Sequence, residues 1–260
     1  MVLRTRQSVY GLMQSSHIWY GTFKDIVISI GFVASPVDGG IFMFEDNGAV
    51  VAAVDLYVDD LLIFADECLI GQITDQMKKR FQMHDLGRVS FYLGMNLERN
   101  QEHHTMDIHQ HSYIWKIFAK FRIDESRLVA TPMAMKLHKS KPDEEACDST
   151  IYQWMIGSLM YAMPATRLEI AYAIGVLSRF NHDQSNEHMV ALKRVFRYLN
   201  GTKDWRLGFR GALRGALGGE GEGALGCYVD SDNAGCPDDY KLTSGLVITF
   251  GGAVDSRSRK

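Results

Sequence analysis

Val54-Asp55-Leu56-Tyr57-Val58-Asp59-Asp60-Leu61-Leu62-Ile63-Phe64-Ala65 is the stretch on which the fold of this chain turns. Two β-prone apolar runs enclose a pair of adjacent carboxylates. That pattern predicts a β-hairpin with Asp59 and Asp60 at or beside its turn. Like charges so close repel, and a bound divalent cation relieves the repulsion. Mg²⁺ suits the position, since it takes hard oxygen ligands, usually one or two carboxylates plus substrate phosphates. A solvated Asp-Asp turn satisfies the same residues. The flanking apolar runs should bury the hairpin, however, and buried carboxylates need partners.

Downstream of this hairpin, Leu69, Ile73, Met77 and Phe81 recur at helical spacing and predict an amphipathic helix on the sheet, with Met77 in the core. Upstream, a helix runs through Trp19 and Tyr20 to Ile30, and Gly31 suits the left-handed position that ends it. Pro36–Gly40 is a turn cluster, Ile41–Phe44 a strand, and Asp46-Asn47-Gly48 a hairpin turn. Met106–His109 reads as a strand and Tyr113–Phe121 as a helix. Thr131-Pro132 marks a boundary, and Leu137–Thr150 reads as a polar linker. From Ile151 the pattern is helical: Ile151–Met163, Leu168–Phe180 and Met189–Leu199. Gly157 and Gly175 inside these helices each cost about 1 kcal/mol against Ala, and close helix–helix packing is the simplest reason for them. Gly211–Gly226 is low-complexity and reads as a flexible linker.

Composition narrows the class. With 260 residues, 46% hydrophobic and 23% charged, the chain has the makeup of a globular protein of one or two domains. A net charge of −3 gives no global nucleic-acid signal, so any such surface is local. The densest basic run lies between Asn186 and Arg214. Lys193, Arg194, Arg197 and Lys203 stand there against only Glu187 and Asp204, as phosphate-backbone binding requires and as a solvated face also allows. The apolar stretch Val50–Ala65 carries Asp55, Asp59 and Asp60, which excludes a membrane span there. No signal-peptide pattern opens the chain, so secretion is not expected. Cys68, Cys147, Cys227 and Cys236 lack zinc spacing and read as free thiols of a reducing compartment. His103, His104, His109, His111 and His138 lack supporting ligands and read as exposed rather than as a metal cluster.

Tyr57-Val58-Asp59-Asp60 resembles the Y-x-D-D box of reverse transcriptases, and the wider order resembles the copia-type LTR-retrotransposon polymerase. Val9-Tyr10-Gly11-Leu12-Met13-Gln14 is similar to the family's L-Y-G-L-K-Q element, with Met13 in place of Lys. Phe81–Gly87 and Phe91-Tyr92-Leu93-Gly94 resemble its F-x-M-x-D-L-G and Y-F-L-G elements. Ile156–Tyr161, Thr166–Ile170 and Tyr198–Lys203 resemble I-G-S-L-L-Y, T-R-P-D-I and Y-L-K-G-T, with Leu168 and Glu169 for the Pro and Asp. Cys227–Cys236 and Leu242–Gly245 resemble the start of the family's ribonuclease H domain, with Asn233 and Ser256 standing for tryptophans.

The resemblance implies an α+β fold. Residues 1–130 would be a partial polymerase palm, an antiparallel sheet with packed helices and a primer-grip hairpin. Residues 131–210 would form a helical thumb, 211–226 a linker, and 227–260 the incomplete start of a ribonuclease H-like domain. It implies RNA-directed DNA polymerisation through a two-Mg²⁺ site on Asp59 and Asp60. Tyr57, Gly11 and Gln14 would lie beside nucleotide and template, Leu93 and Gly94 would hold the primer, and Asp230 would be a nuclease metal ligand. Lys193, Arg194, Arg197 and Lys203 would contact the nucleic-acid backbone. The partners would be an RNA template/DNA primer duplex, a deoxynucleoside triphosphate and the rest of a Pol polyprotein, in the cytoplasm (as virus-like particles) or nucleus. The family's third carboxylate sits in an upstream D-V-x-x-A-F-L motif that this chain lacks; Asp38 and Asp55 are the nearest substitutes. The chain is therefore expected to be inactive alone. Two alternatives remain: a co-opted nucleic-acid-binding or interaction module without catalysis, and a Mg²⁺-dependent hydrolase using Asp230 and Asp232.

Overall fold

A computed structural model describes residues 12, 14–123, 127–134, 137–138, 145, 147–210, 226–231 and 244–250, with 253–259 by backbone alone. The chain divides into two compact units, residues 1–89 and 90–260. Both combine helices with antiparallel sheets, so the α+β class holds.

In the first unit, α1 (Ser15–Ser29) leads through β1 (Val33–Ala34) into β2 (Ile41–Asp46), β3 (Ala49–Tyr57) and β4 (Asp60–Phe64). The helix α2 (Glu67–Lys78) closes it. The strands form a meander in the order β1-β2-β3-β4. The turn chemistry is local. Asn47 and Gly48 both take positive φ (50° and 80°), the type I′ geometry that joins β2 to β3. Gly31 (φ 102°) ends α1 in a Schellman motif: its N–H donates to Ile28 O and that of Phe32 to Val27 O. Period-2 alternation turns Phe42, Ala52 and Val54 onto a core completed by Phe23 and Val27 of α1 and Ile73 and Met77 of α2. Burial of each large side chain among these contributes on the order of 1.5–3 kcal/mol. The opposite sheet face, carrying Asp55, Tyr57, Asp60 and Phe64 by register, holds none of these core side chains.

The second unit opens with β5 (Phe91–Tyr92), β6 (Met95–Asn100) and β7 (Thr105–His109), followed by α3 (His111–Phe121). Then come α4 (Ser149–Ala165), α5 (Ala171–Leu177), α6 (Asn186–Gly201) and β8 (Leu207–Arg210). The expected helix Leu168–Phe180 is really α5 with a 3₁₀ turn at each end, Leu168–Ile170 and Ser178–Phe180. The strand β8 pairs with β7 and completes a sheet ordered β5-β6-β7-β8. A second sheet is ordered β11-β10-β9, from β9 (Gly226–Ser231), β10 (Ser244–Phe250) and β11 (Ala253–Arg259). The helical core joins Phe118 of α3, Tyr152, Ile156 and Leu159 of α4, Ile174 of α5, and Leu192, Phe196 and Leu199 of α6. Asp148 caps α4 by accepting from Thr150 and Ile151 N–H groups, and Ser185 with His188 forms a capping box on α6.

Two expectations are corrected here. Leu137 is not linker: it is 3% exposed and belongs to the helical core. Gly157 and Gly175 are both exposed, and a Cβ built on Gly157 meets nothing within 4 Å, so helix packing does not explain Gly157. Gly94 with Leu93 forms the type I′ turn between β5 and β6 (φ 78° and 46°), and the atom against Gly94 is the Tyr161 hydroxyl.

Candidate nucleic-acid and metal site

The acidic pair sits at the end of the β3–β4 hairpin. Tyr57 pairs with Asp60, so Val58 and Asp59 are the whole turn, and both aspartates are exposed. Val58 takes φ 54°, and Asp59 is not among the positive-φ residues. Positive φ at the first central residue alone is the type II′ arrangement, normally a glycine position. A β-branched residue there stores about 1–2 kcal/mol of strain. The Trp19 indole N–H of α1 donates to Val58 O at 2.8 Å and fixes the turn's carbonyl. The Tyr20 hydroxyl donates to Gly39 O at 2.9 Å and ties the same helix to the loop before β2. The start of α1 thus lies beside the Tyr57–Asp60 turn.

The other acids of this unit fall into place by register. Asp55 faces Leu62 across the ladder, on the side of the sheet that carries Asp60 and one cross-strand step from it. Asp38 accepts from Gly40 N–H at 2.8 Å and is spent on an Asx turn. Among the described residues no group of three His, Cys, Asp or Glu side chains is placed to hold a metal ion. Asp59 and Asp60 offer two exposed carboxylates, and a Mg²⁺ ion held by them would need further oxygen ligands. Gln14 is exposed immediately before α1; Gly11 lies outside the described residues.

In the second unit, Leu93 and Gly94 form the β5–β6 turn, and the Tyr161 hydroxyl of α4 donates to Leu93 O at 2.9 Å. The Tyr161 ring also lies 4.6 Å from Tyr113 of α3. The basic run of α6 is less free than its composition suggests. The Arg194 guanidinium donates to Thr131 O and Oγ1, the Lys203 ammonium sits 4.5 Å from the Trp115 ring centroid, and Arg206 pairs with Glu98 and Asp107. Lys193 is exposed and Arg197 half-buried. Asp230 lies on β9, opposite Gly245, exposed and accepting from Ser231 N–H. Asp232 and Asn233 lie outside the described residues.

Two of the motifs matched in sequence meet in a buried polar cluster. Arg167, 1% exposed, donates to Glu169 Oε1 and Thr202 Oγ1, while the Thr166 hydroxyl donates to Gln110 Oε1. These threonines and the arginine join α4, α6 and the β7–α3 junction, a structural role. His109 is buried rather than exposed and hydrogen-bonds Glu98 at 3.0 Å. Hydrogen bonds from His109 and Arg206 hold the Glu98 carboxyl below its ordinary range. Burial, then the neighbouring His109, pushes the His111 imidazole down. Sequence reading gave no contact role to Trp19, an aromatic on an otherwise ordinary helix, or to Tyr161, which closes the Ile156–Tyr161 motif; their partners lie 39 and 68 residues away.

Residues 1–135, just over half of the chain, match the sequence profile of the reverse transcriptase (RNA-dependent DNA polymerase) family, and the chain belongs to that family. Among the relatives it matches are Pol polyproteins from copia-type transposons. The chain is 34% identical, over its whole length, to 20% of the retrovirus-related Pol polyprotein from transposon TNT 1-94 of Nicotiana tabacum. It is 32% identical over 96% of its length to 16% of the corresponding polyprotein from transposon RE1 of Arabidopsis thaliana. Over 97% of its length it is 29% identical to 79% of the putative transposon Ty5-1 protein YCL074W of Saccharomyces cerevisiae. The chain thus spans about a fifth or less of the length of the two plant polyproteins. No solved structure matches it. No helix among the described residues is long and apolar enough to cross a membrane.

Proposed function

We propose that this chain supplies the aspartate turn, the primer hairpin and the thumb of a retrotransposon RNA-directed DNA polymerase. The observation that carries the reading is the exposed Tyr57–Asp60 turn, strained at Val58 and pinned by Trp19. A rigid turn presents both carboxylates to solvent at a hairpin end, where a primer terminus and an incoming deoxynucleoside triphosphate can reach them. In such an enzyme two Mg²⁺ ions activate the attacking 3′-oxygen and stabilise the leaving pyrophosphate. The contribution of this chain is to hold and orient: Asp59 and Asp60 as carboxylate ligands, Tyr57 and Gln14 beside nucleotide and template, Leu93 and Gly94 at the primer strand. Lys193 is the most available of the α6 cations for a duplex backbone.

Among the described residues no third ligand is grouped with Asp59 and Asp60 to hold Mg²⁺ tightly, so the isolated chain should not polymerise. A primer-extension assay on a primed RNA template tests this, and Mg²⁺-dependent extension abolished by Asp59→Asn would refute it. The aspartate turn itself is tested by Mn²⁺ titration with NMR detection. Line broadening should concentrate on amides 57–61 and vanish in Asp59→Asn/Asp60→Asn. Broadening centred elsewhere would sink the assignment. Met13, Leu168, Asn233 and Ser256, which depart from the family's motifs, favour the second reading, a nucleic-acid-binding or interaction module without catalysis.

A further inference from the structure

Thr131-Pro132 is one of two places in the chain where a hydroxyl residue precedes proline; the other is Ser35-Pro36. A hydroxyl just before proline is the minimal target of proline-directed protein kinases. The fold treats the two differently. Ser35 is half-buried, its N–H donates to Ile41 O at 2.8 Å, and its Oγ accepts from Val37 N–H. Thr131 is exposed, and among the described residues no backbone–backbone hydrogen bond holds the segment 127–134. Val129 and Met133 anchor that segment on the helical core, and the alternation of extended chain turns Thr131, between them, outward. A segment held by so little opens locally at low cost and can enter an active-site cleft as a strand.

Under Thr131 lies a pair of guanidinium groups. Arg194 of α6 donates from Nε to Thr131 O at 3.2 Å and from Nη2 to Thr131 Oγ1 at 3.0 Å. Further back along the segment, a Cβ built on Gly201 would lie 3.8 Å from Leu128 Cβ. Positions 194 and 201 are separated by about 10 Å along α6, a distance that residues 128 to 131 cover only as extended chain. The segment therefore runs antiparallel to α6 over the stripe Arg194, Arg197 and Gly201, spaced i, i+3 and i+7. Arg197, which that stripe places between the two contacts, has its Nε buried without a hydrogen-bond partner. No carboxylate among the described residues pairs with Arg194 or Arg197. Glu187, the one acid of α6, stands two turns before Arg194.

We infer that Thr131 is the acceptor of a proline-directed protein kinase, and that Arg194 and Arg197 receive the phosphate. Thr131 Oγ attacks the γ-phosphorus of Mg-ATP. The new P–O bond forms as the bond to the β–γ bridging oxygen breaks, ADP leaves, and the hydroxyl proton passes to the kinase's catalytic aspartate. The product carries a charge of about −1.5 to −2 and three strong acceptor oxygens. The Arg194 fork then exchanges a neutral hydroxyl for an anion, Arg197 gains the acceptor its Nε lacks, and the segment is stapled to α6. The inference is independent of the polymerase reading. Absence of polymerisation bears on the aspartate turn, whereas absence of modification bears on Thr131.

The test incubates the full chain with a recombinant proline-directed kinase and Mg-ATP, and maps phosphate by tandem mass spectrometry. Phosphate should appear on Thr131 ahead of Ser35, and Thr131→Ala should abolish that site. A folded chain left unmodified at Thr131, or modified first at Ser35, overturns the acceptor assignment. The clamp is read on the unsubstituted chain by phosphorus NMR. The second ionisation of the phosphothreonine should fall below its ordinary value of about 6 in the folded chain and return to it in urea. Hydrogen exchange over 127–134 should slow roughly 10- to 100-fold on phosphorylation. Arg194→Gln/Arg197→Gln should remove both effects. A second ionisation at or above its value in urea, faster exchange after phosphorylation, or effects that survive the double substitution would sink the clamp.

Discussion

Replacing Gly94 by alanine tests how the β5–β6 turn is held. The turn needs left-handed backbone at both central residues, and Gly94 sits at φ 78°. A side chain there costs about 1–2 kcal/mol of backbone strain. The new Cβ would also overlap the Tyr161 hydroxyl oxygen and lie 3.2 Å from its ring carbon Cζ. The tyrosine must swing away, forfeiting its bond to Leu93 O, roughly 0.5–1.5 kcal/mol, and part of its contact with Tyr113, of similar size. The sum is about 2–4 kcal/mol, or roughly 30- to 1000-fold in a local opening equilibrium. Hydrogen exchange measured on peptides spanning 91–100 and 151–163 reads that opening where it occurs. Tyr161→Phe alone should cost about 1 kcal/mol. In that background Gly94→Ala should fall toward its backbone cost, leaving a coupling near 1 kcal/mol between the two positions. Equal costs in both backgrounds, or a Gly94→Ala effect below about 0.5 kcal/mol, would refute the contact.

Three other outcomes are expected. Val58→Gly should stabilise the β3–β4 hairpin by roughly 0.5–1 kcal/mol, the relieved strain exceeding the added chain entropy; a loss in urea unfolding would show that the turn is not strained. Leu137→Ala should destabilise the helical unit by about 2–4 kcal/mol, as for a buried leucine, whereas a cost below 1 would return the segment to the status of linker. Acid should weaken the second unit in two steps. His111 is lowered in the folded state, so the unfolded chain binds its proton first, and stability falls as pH drops below the ordinary histidine value of 6.5. Glu98 is lowered too, so its contribution is present above its ordinary 4.5 and disappears as pH falls through its depressed folded value. A urea-midpoint series in His111→Gln should lose the upper step and keep the lower one.

Local chemistry was legible in the chain from the start. Asn47-Gly48 read as a tight hairpin turn, Gly31 ended α1 as its conformational freedom allows, and β-prone apolar runs on either side of Asp59 and Asp60 put that pair at a hairpin end. The order of short motifs was enough to place the chain among reverse transcriptases. Each of these rests on residues within a few positions of one another, or on identity itself.

What only the tertiary structure decided depends on partners that arrive from far along the chain. Gly94 and Gly157 look alike in sequence, yet one is capped by a tyrosine hydroxyl and the other faces open space. Arg194 and Lys203 belong to one basic run with Lys193, but the first is tied to Thr131 and the second lies over Trp115. Leu137, in a polar stretch, is buried because the helical core closes over it, and β8 joins the β7 edge across nearly 100 residues. A residue's type sets what it can bind. Which neighbour it meets is set by packing the helices and sheets together, and no local window contains that neighbour.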